Sequence, residues 1–597
     1  MRFRARHFLI LFFSILTCTR PVYSYPPAPS SASAPKVQNT SQLCRNWNVV
    51  KSIDPPLSDV ELRLVCGDTP DKALSKAWVR IPYNQAKYHL TQFLQNRAYH
   101  HPAFEVAGPA DDPKITVYLG EKTVAHGVSV EGDPENEIEI ERRRKIIGKP
   151  LTPALLDTLE NWVVARLQVL GYACPVVKSK AIVDTGEIRL QVNKGTRKRI
   201  GTVGGESIPG LDPGILTRYF PFNIGDLYNS NLISIADSRV KTVGIVESLH
   251  IRKECRGDLV DLYQDVFSGP PRLLSFGVGI NTEGLATGRT SWRNTRLGGG
   301  GSLLDVSANA SKQLQSIQGN YNWYFLPYVS RIYLNPFVQF SHQNEVKFEI
   351  LQATGQVGIS TTVDHFPLGF VFFLGPNLSF YRTLQGQGAP DSRFLFLETR
   401  VQMKSHPFEY FANNPQAGVN LNLIIDVSDS SIYSDTSVQK YTLSGEGLWN
   451  WSNLDPPLWI WGIRGSVTTI ITGDLPGPGA GLPASFYQFL GGAASIRGFG
   501  RLQLPLNSLV GGLSSAYLGM EGRLSNTLPF QLDPFLFVDV GAIGMGSLSV
   551  DTPIYWSPGI GVRWASPVGP VRLTLARGYT DGSPFGFQFY FSFGEEF

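Results

Sequence analysis

The sequence predicts a membrane-spanning, antiparallel β-barrel of 16 strands that is preceded by three small α/β domains. Three observations lead to this fold class. The chain begins with an export signal, its N-terminal part combines helical and strand patterns, and its remainder consists of segments in which apolar and polar residues alternate one by one. At 597 residues the chain is also too long for a single core, so several domains are expected.

The first residues have the three parts of a secretory signal peptide. Three arginines among the first six residues are followed by the apolar run 8–16 and by a cleavage site of approximate A-x-A type at 22–24. The apolar run is too short to cross a bilayer. Residues 1–24 are therefore predicted to be a signal peptide, and the Pro-, Ser- and Ala-rich residues 25–43 are predicted to be a linker.

Three consecutive units with the composition of α/β proteins follow the linker. Each spans roughly 60–80 residues, which is a fair size for a small domain. In the middle unit, apolar residues recur at helical spacing from position 155 to 170, and Gly171 then ends the helix. The predicted domains are residues 44–120, 121–195 and 196–267.

Four cysteines remain after removal of the signal peptide: Cys44, Cys66, Cys174 and Cys255. An even number of cysteines in an exported chain permits disulfides, and four cysteines allow three connectivities. We expect a Cys44–Cys66 bond because the loop between these two residues is short. The absence of a CxxC pair disfavours a zinc site, and we expect no cofactor.

Residues 268–597 are predicted to form the barrel. In the last segment, phenylalanines at alternate positions from 585 to 593 fall on one face of a strand, and smaller or polar residues fall on the other face. About 16 such segments fit this part of the chain. A soluble β-sandwich has the same period of two, but it has fewer aromatic residues near its strand ends. No run of 18 apolar residues suggests a membrane-spanning helix.

A glycine-rich loop with a single charge interrupts the strand pattern. The stretch GGAASIRGFG, residues 491–500, has Arg497 as its charged residue and lies between the eleventh and twelfth predicted strands. That loop is about 40 residues long, far longer than usual hairpin loops, and such long loops are usually functional or disordered. The loop is therefore the first candidate for a functional site.

Four residues of this loop resemble a family signature. Ile496, Arg497, Gly498 and Phe499 are similar to the lid-loop motif of the Omp85 superfamily of outer-membrane assembly and secretion barrels. Further matches follow in order at residues 517–525, 535–544 and 558–579, and in the terminal FSFGEEF. The three N-terminal units resemble POTRA domains. Three such domains before a 16-stranded barrel most resemble the TamA family, the translocation and assembly module subunits.

The resemblance implies that the loop folds back into the barrel lumen, where Arg497 pairs with Asp539 and Glu521. Strand alternation places Asp539 and Glu521 on the lumen faces of two neighbouring predicted strands. A guanidinium between two carboxylates makes strong, directional hydrogen bonds. We expect this pairing to lock the strands opposite the barrel seam.

The seam joins the first and last strands, and both strands carry glycines. Gly277 and Gly279 lie on the first strand, whereas Gly586, Gly594 and the terminal Phe597 lie on the last. Glycine weakens strand pairing, so a weak seam is one interpretation. A seam that opens exposes strand edges, which template further strands. The alternative, that these glycines only suit a tight lumen, fits the sequence equally well.

The features together predict a protein of the bacterial outer membrane, with its POTRA domains in the periplasm. The resemblance implies a factor that assists the insertion or secretion of autotransporters and other β-barrel proteins. Its partners would be the lipid bilayer, unfolded clients and a TamB-like protein anchored in the inner membrane. The alternative is a two-partner secretion pore that exports one dedicated large protein, a class that normally has two POTRA domains and a plug helix.

Two other classes of function are disfavoured. A formal net charge of +4 argues against a nucleic-acid-binding surface. No GxSxG, HExxH or other catalytic motif is present, so we do not expect an enzyme.

Overall fold

The described part of the chain forms three small sheets with helices and one closed barrel, which is the predicted fold class. The predicted signal peptide and most of the linker lie outside this part, as do Gly594 and Phe597. The computed structural model describes residues 40–44, 46–67, 81–109, 113–326, 331–411, 414–472, 481–506, 508–551, 553–566 and 569–593.

The first α/β unit contains two helices and a four-stranded sheet. Its elements are β1 (Thr40–Cys44), β2 (Trp47–Val50), α1 (Asp59–Cys66), α2 (Tyr83–Gln95), β3 (Ala103–Ala107) and β4 (Lys114–Tyr118), with the sheet order β1-β2-β4-β3. A capping box starts α1: the Ser58 hydroxyl accepts a hydrogen bond from the Glu61 amide, and the Glu61 carboxylate accepts one from the Ser58 amide. A disulfide between Cys44 and Cys66 joins β1 to the end of α1.

The second α/β unit packs one long helix on a three-stranded sheet. Its elements are β5 (Gly127–Glu131), α3 (Pro153–Val169), β6 (Val176–Ile182) and β7 (Glu187–Asn193), with the sheet order β5-β7-β6. The Thr152 hydroxyl caps α3 by accepting a hydrogen bond from the Leu155 amide. The helix ends just before Gly171, whose φ of 104° lies in the region that favours glycine.

The third α/β unit has the same plan. Its elements are β8 (Arg199–Gly205), α4 (Ser230–Val243), β9 (Ser248–Arg256) and β10 (Leu259–Phe267), with the sheet order β8-β10-β9. Ile235 and Val240 of α4 are buried in one apolar cluster with Val260 of β10. A second disulfide, between Cys174 and Cys255, covalently links the second unit to the third.

The remaining strands close into an antiparallel barrel in which each strand pairs with its neighbours in sequence, and β11 pairs with β26. The predicted number of 16 strands is confirmed. A short helix, α5 (His406–Tyr410), follows β18. The strands are β11 (Arg272–Asn281), β12 (Leu285–Leu297), β13 (Ser302–Ala310), β14 (Leu314–Asn322), β15 (Ile332–Asn344), β16 (Glu349–His365), β17 (Leu368–Gln385), β18 (Asp391–Ser405), β19 (Gly418–Ser428), β20 (Val438–Asn450), β21 (Trp459–Thr472), β22 (Ser514–Leu524), β23 (Leu532–Gly544), β24 (Tyr555–Ser566), β25 (Gly569–Thr580) and β26 (Ser583–Phe593).

The barrel strands carry apolar side chains on their outer face. On β22 and β23, for example, Leu518, Met520, Leu536 and Val538 are exposed, as the alternation predicts. Across the described residues, no helix is both long and apolar enough to cross a membrane.

Phe585 departs from the predicted alternation. It was expected on the outer face of the last strand with the other phenylalanines, but its ring stacks on Phe499 of the loop at a centroid distance of 5.4 Å. The reason is a register shift between Arg577 and Tyr579 in the pairing of β25 with β26, because such irregularities re-aim side chains locally.

The third unit is held against one end of the barrel by a largely buried ionic cluster. Arg239 of α4 donates hydrogen bonds to Asp364 of β16 at 2.8 and 2.9 Å, and to Glu409 of α5 at 2.6 and 2.8 Å. Arg331 donates to the same Asp364 at 2.8 Å, and His406 lies 3.2 Å from it. Two carboxylates therefore hold one guanidinium of α4 against the barrel.

The second unit contacts the turn between β20 and β21. The Trp162 indole donates a hydrogen bond to Asp455 at 2.5 Å, and Arg144 donates to the carbonyl groups of Pro456 and Pro457 at 3.2 and 3.0 Å. Both units thus meet the barrel at the end where β11 begins.

Candidate functional site

The described part of the long loop between β21 and β22, residues 481–506 and 508–513, packs inside the barrel. Because β11 starts at the end that contacts the second and third α/β units and successive strands reverse direction, β21 ends and β22 begins at the opposite end. Its apolar side chains are buried against inward-facing residues of the barrel strands. The cluster consists of Leu490, Ile496, Phe499 and Leu504 from the loop and Tyr517, Ile543 and Tyr555 from the strands.

Arg497 lies at the centre of this packing and is only 2% exposed. Its Nε and Nη2 atoms donate hydrogen bonds to the two carboxylate oxygens of Asp539 on β23 at 2.8 and 2.9 Å, and its backbone amide donates to the same group at 3.1 Å. Its Nη1 atom donates to Glu521 on β22 at 3.2 Å. The structure thus brings these three predicted residues together.

Two further residues complete the surroundings of the Arg497–Asp539 pair. The Phe537 ring lies under the guanidinium, with its centroid 3.3 Å from the Arg497 Cζ atom. The Tyr517 hydroxyl donates a hydrogen bond to Asp539 at 3.3 Å. Alternation had placed Phe537 on the lumen face, but nothing local in the sequence indicated that it stacks on the loop.

Glu521 is shared by three arginines. In addition to Arg497, it accepts hydrogen bonds from Arg572 of β25 at 2.8 Å and from Arg523 of β22 at 3.3 Å. The alternating pattern predicts polar, lumen-facing positions for Arg523 and Arg572. Their convergence on one carboxylate depends on barrel closure, so alternation along single strands does not reveal it.

Gly498 allows the loop backbone to touch a barrel strand. A Cβ atom added at this position would lie 2.5 Å from the backbone nitrogen of Gly578 on β25, closer than real side chains approach backbone atoms. Two glycines therefore face each other where the loop crosses β25, and a larger residue at either position would separate them.

Phe499 connects the loop to the last strand. Its carbonyl oxygen accepts a hydrogen bond from the Tyr590 hydroxyl of β26 at 2.6 Å. Its ring packs edge-on against Tyr555 at a centroid distance of 5.7 Å and stacks on Phe585. The motif residue thus contacts β24 and β26 together.

The other side of the loop contacts the first hairpin of the barrel. The Ala493 amide donates a hydrogen bond to Glu283, between β11 and β12, at 2.9 Å. Arg501 donates to Glu345 at 2.7 and 2.9 Å and lies 3.7 Å from Glu283. That the Arg497 pairing locks the strands opposite the seam stays a prediction, and the loop that carries Arg497 also binds groups on both sides of the seam.

Strand pairing across the seam is short in the described residues. β11 pairs with β26 through Ile280 with Phe593 and Asn281 with Ser592. One backbone hydrogen bond follows, from the Thr282 amide to the Phe591 carbonyl oxygen at 3.0 Å. By contrast, β26 pairs with β25 along almost its whole length. Within the described residues, the β11 edge before Ile280 has no pairing with β26.

The described seam glycines occupy different positions. Gly279 adjoins the seam pairing, and a Cβ atom there would lie 3.3 Å from the Phe593 carbonyl oxygen. Gly277 pairs with Arg289 of β12. Gly586 lies near the start of β26, away from the residues that pair with β11. Gly279 is thus the described glycine that lies beside the seam pairing.

Beside the loop, the lumen retains a cavity of about 1020 Å³. Its walls include Glu283 in the first hairpin at one end of the barrel and Phe408 of α5 at the other. The cavity therefore follows the lumen from end to end. Among the described residues, no group of three His, Cys, Asp or Glu side chains is arranged to hold a metal ion.

Comparison with known proteins finds a family model that is similar to the C-terminal part of the chain. Residues 411–597 match the sequence model of the Omp85 superfamily domain. Similar solved structures include BamA from Haemophilus ducreyi lacking POTRA domains 1–3, with 16% identity, 79% of this chain and 99% of that chain covered and a TM-score of 0.48. CdiB from Acinetobacter baumannii has 14% identity, with 86% and 97% of the two chains covered and a TM-score of 0.44.

The α/β units have a similar structure of their own. It is POTRA1-3 of the periplasmic domain of Omp85 from Anabaena, with 15% identity, 36% of this chain and 91% of that chain covered and a TM-score of 0.20. The family match, the closed barrel and its apolar outer face agree with a location in the outer membrane. The part of the barrel from residue 411 to residue 597 is thus similar to the Omp85 superfamily domain.

Proposed function

We propose that this protein is an outer-membrane factor that assists the insertion or secretion of autotransporters and other β-barrel proteins. The observation that carries this proposal is the closure of the barrel by pairing of its first and last strands, β11 and β26. A strand edge with free amide and carbonyl groups accepts another strand. A client strand that pairs with β11 would enter the bilayer beside the seam.

Two features support client entry at this position. The outward side chains Leu274, Phe276 and Val278 of β11 are 61%, 76% and 82% exposed, so an apolar client strand finds apolar neighbours there. The loop also contacts both sides of the seam, through Glu283 and Tyr590. The two strands of the seam can therefore separate while the loop stays bound inside the lumen.

A pair of engineered disulfides tests this proposal. Ile280→Cys with Phe593→Cys would join β11 to β26, whereas Val571→Cys with Phe593→Cys would join β25 to β26. Both pairs are directly opposed residues on neighbouring antiparallel strands, so both are within disulfide range. The two variants share one substitution and differ in whether the seam is locked.

We expect the seam disulfide to stop client delivery in cells and a reductant to restore it. The β25–β26 disulfide should leave delivery intact, and it also controls for effects of the reductant on the natural disulfides. Full delivery through an oxidised, seam-locked barrel would show that the seam does not open for clients.

A secretion pore for one dedicated protein is a second candidate, because the lumen cavity runs from Glu283 to Phe408. Deletion of the gene in its native host, followed by mass spectrometry of outer-membrane and secreted proteins, separates the two functions. Loss of several autotransporters or barrels supports an assembly factor. Loss of one large secreted protein with the barrels unchanged supports the pore.

Within assembly factors, three α/β units before a 16-stranded barrel favour a TamA-like role with a TamB-like partner anchored in the inner membrane. Crosslinking in cells followed by purification of the tagged protein tests this assignment. Recovery of a large inner-membrane-anchored protein supports it. A proteome change in the deletion strain without such a partner would leave the assembly function standing and remove the TamA-like assignment.

A further inference from the structure

We infer that the lumen cavity binds an acidic, extended segment of a client polypeptide, and that Arg523 is a principal contact for it. This inference rests on the proposed function, since it specifies the chemistry of the client. It uses a part of the lumen that the loop motif does not occupy.

The charge of the cavity wall is the first observation. Seven arginines line the cavity against three glutamates. They are Arg289, Arg464, Arg497, Arg501, Arg523, Arg563 and Arg572, and Glu283, Glu446 and Glu521. Charges in a lumen with low-dielectric walls are screened less than charges in bulk water, so this surplus favours anionic ligands.

Unsatisfied donors are the second, independent observation. The Arg523 side chain is only 10% exposed and lines the cavity. Its Nη2 atom donates to Glu521, but its Nε and Nη1 atoms are buried without a hydrogen-bond partner. The Nε atom of Arg464, on the neighbouring strand, is also buried without a partner. Buried charged donors without acceptors are costly, and a carboxylate supplies the acceptors.

The protein's own carboxylates are already engaged near this point. Glu521 accepts hydrogen bonds from three arginines, and Asp539 is held by Arg497. Arg563 and Arg572 are directly opposite each other on β24 and β25, and like charges in that arrangement repel. An additional anion in the lumen would therefore lower the electrostatic free energy of the whole cluster.

The size of the cavity favours a polypeptide over a small ion. Its volume of about 1020 Å³ far exceeds the roughly 30 Å³ that one water molecule occupies in the liquid. Its arginines are distributed over strands on both sides of the seam, such as Arg289 on β12 and Arg523 on β22. An extended segment rises about 3.3 Å per residue, so successive acidic side chains reach different arginines.

Peptide binding to the purified full-length protein in lipid nanodiscs tests the inference. The probes are two fluorescein-labelled, extended peptides of equal length, one built from Glu, Ser and Gly and the other with Gln in place of each Glu. Fluorescence anisotropy gives the Kd of each peptide at low and high salt. We expect the acidic peptide to bind at least about tenfold more tightly at low salt and to lose that advantage at high salt.

Arginine variants locate the site. Arg523→Gln should weaken binding of the acidic peptide by about tenfold, and Arg523→Lys should weaken it less because the charge remains. Arg382→Gln is the matched control, since Arg382 pairs with Asp391 at the barrel rim, outside this cavity. The migration of unheated samples on gels shows whether each barrel is folded.

Equal affinity for the two peptides would overturn the inference, as would unchanged binding by a folded Arg523→Gln variant. The comparison of the two peptides needs only the wild-type protein, so it holds even if a variant does not fold. If the acidic peptide is not preferred but the deletion strain has an altered outer-membrane proteome, the inference fails and the proposed function stands. If the acidic peptide is preferred but the outer-membrane proteome of the deletion strain is unchanged, the proposed function is wrong.

Discussion

Arg497 and Asp539 form a buried ion pair in which two guanidinium nitrogens contact two carboxylate oxygens at 2.8 and 2.9 Å. The two residues lie 42 positions apart in the sequence, one on the loop and the other on β23. Because Asp539 also accepts a hydrogen bond from the Arg497 amide, it holds the loop backbone as well as the side chain. This pair therefore sets where the loop lies in the lumen.

Replacement of Arg497 should release the loop without unfolding the barrel. In Arg497→Ala, Asp539 stays buried and keeps the backbone amide of residue 497 and the Tyr517 hydroxyl as donors, but it loses both guanidinium hydrogen bonds. Loss of one partner of a buried pair costs about 3–5 kcal/mol, and less in a hydrated lumen. We expect faster amide exchange over residues 490–504 and reduced client delivery, measured by hydrogen exchange and by the outer-membrane proteome.

Arg382→Ala is the control for this substitution, because it removes an exposed barrel arginine paired with Asp391. It should leave exchange in the loop and client delivery at wild-type levels. Unchanged loop exchange in Arg497→Ala would mean that the apolar cluster alone positions the loop.

Gly498→Ala should disturb the loop more than Gly500→Ala. The added methyl group at position 498 meets the backbone of Gly578 at 2.5 Å, whereas at position 500 the nearest atom is the flexible Gln503 amide at 3.3 Å. Overpacking of this kind typically costs about 1–3 kcal/mol. Faster exchange in the loop of Gly498→Ala, but not of Gly500→Ala, is the expected outcome. Similar exchange in both variants would show that β25 moves to accommodate the added methyl group.

Arg239→Ala should loosen the third α/β unit from the barrel. The substitution leaves Asp364 and Glu409 without the guanidinium that joins them to α4, although Asp364 keeps its contact with Arg331. Spin labels on the third unit and on the barrel, read by pulsed electron resonance, should give a broader distance distribution.

Arg252→Ala is the matched control for the third unit. Arg252 pairs with Asp265 across β9 and β10, and both side chains are well exposed, so its loss should leave the distances unchanged. A narrow distance distribution in Arg239→Ala would mean that other contacts attach the third unit to the barrel. Such contacts are the hydrogen bonds that the Arg293 and Arg296 side chains donate to backbone carbonyl groups.

Acid should weaken the first α/β unit through Glu61. The hydrogen bonds from Arg97 hold the pKa of Glu61 at about 2, below its ordinary value of 4.5. A lowered folded-state pKa stabilises the unit above pH 4.5, and that contribution is lost as the pH falls from 4.5 through 2. Hydrogen exchange in α1, corrected for its intrinsic pH dependence, should rise between about pH 6 and about pH 3.

Glu61→Gln should show faster exchange in α1 near neutral pH and little further change in acid. The exposed Glu121, which follows β4 of this unit, supplies the control: Glu121→Gln should follow the wild-type profile. An acid response of Glu61→Gln equal to that of the wild type would assign the effect to another group.

The barrel could be predicted because strand alternation is a local property. Leu518 and Met520 point outward and Glu521 points inward for the same reason, a period of two along one strand. The failure at Phe585 has the opposite cause. Its direction follows from a register shift between two strands, which is a property of the strand pair.

The candidate site was predictable only in part. Arg497, Asp539 and Glu521 were available from the motif resemblance and from alternation. Tyr590 and Glu283 were missed, because their contacts with the loop exist only once the first and last strands meet. The same closure gathers Arg572 and Arg523 around Glu521.

By itself the sequence determined the order of the α/β units and the barrel, and the inner and outer faces of the strands. Each of these depends on the spacing of residues within a short segment. Tertiary structure decided the pairing of β11 with β26 at the seam, the loop that contacts both sides of it and the arginine-rich cavity beside the loop. Those features arise from the register at which distant strands close the barrel, and register is a property of strand pairs.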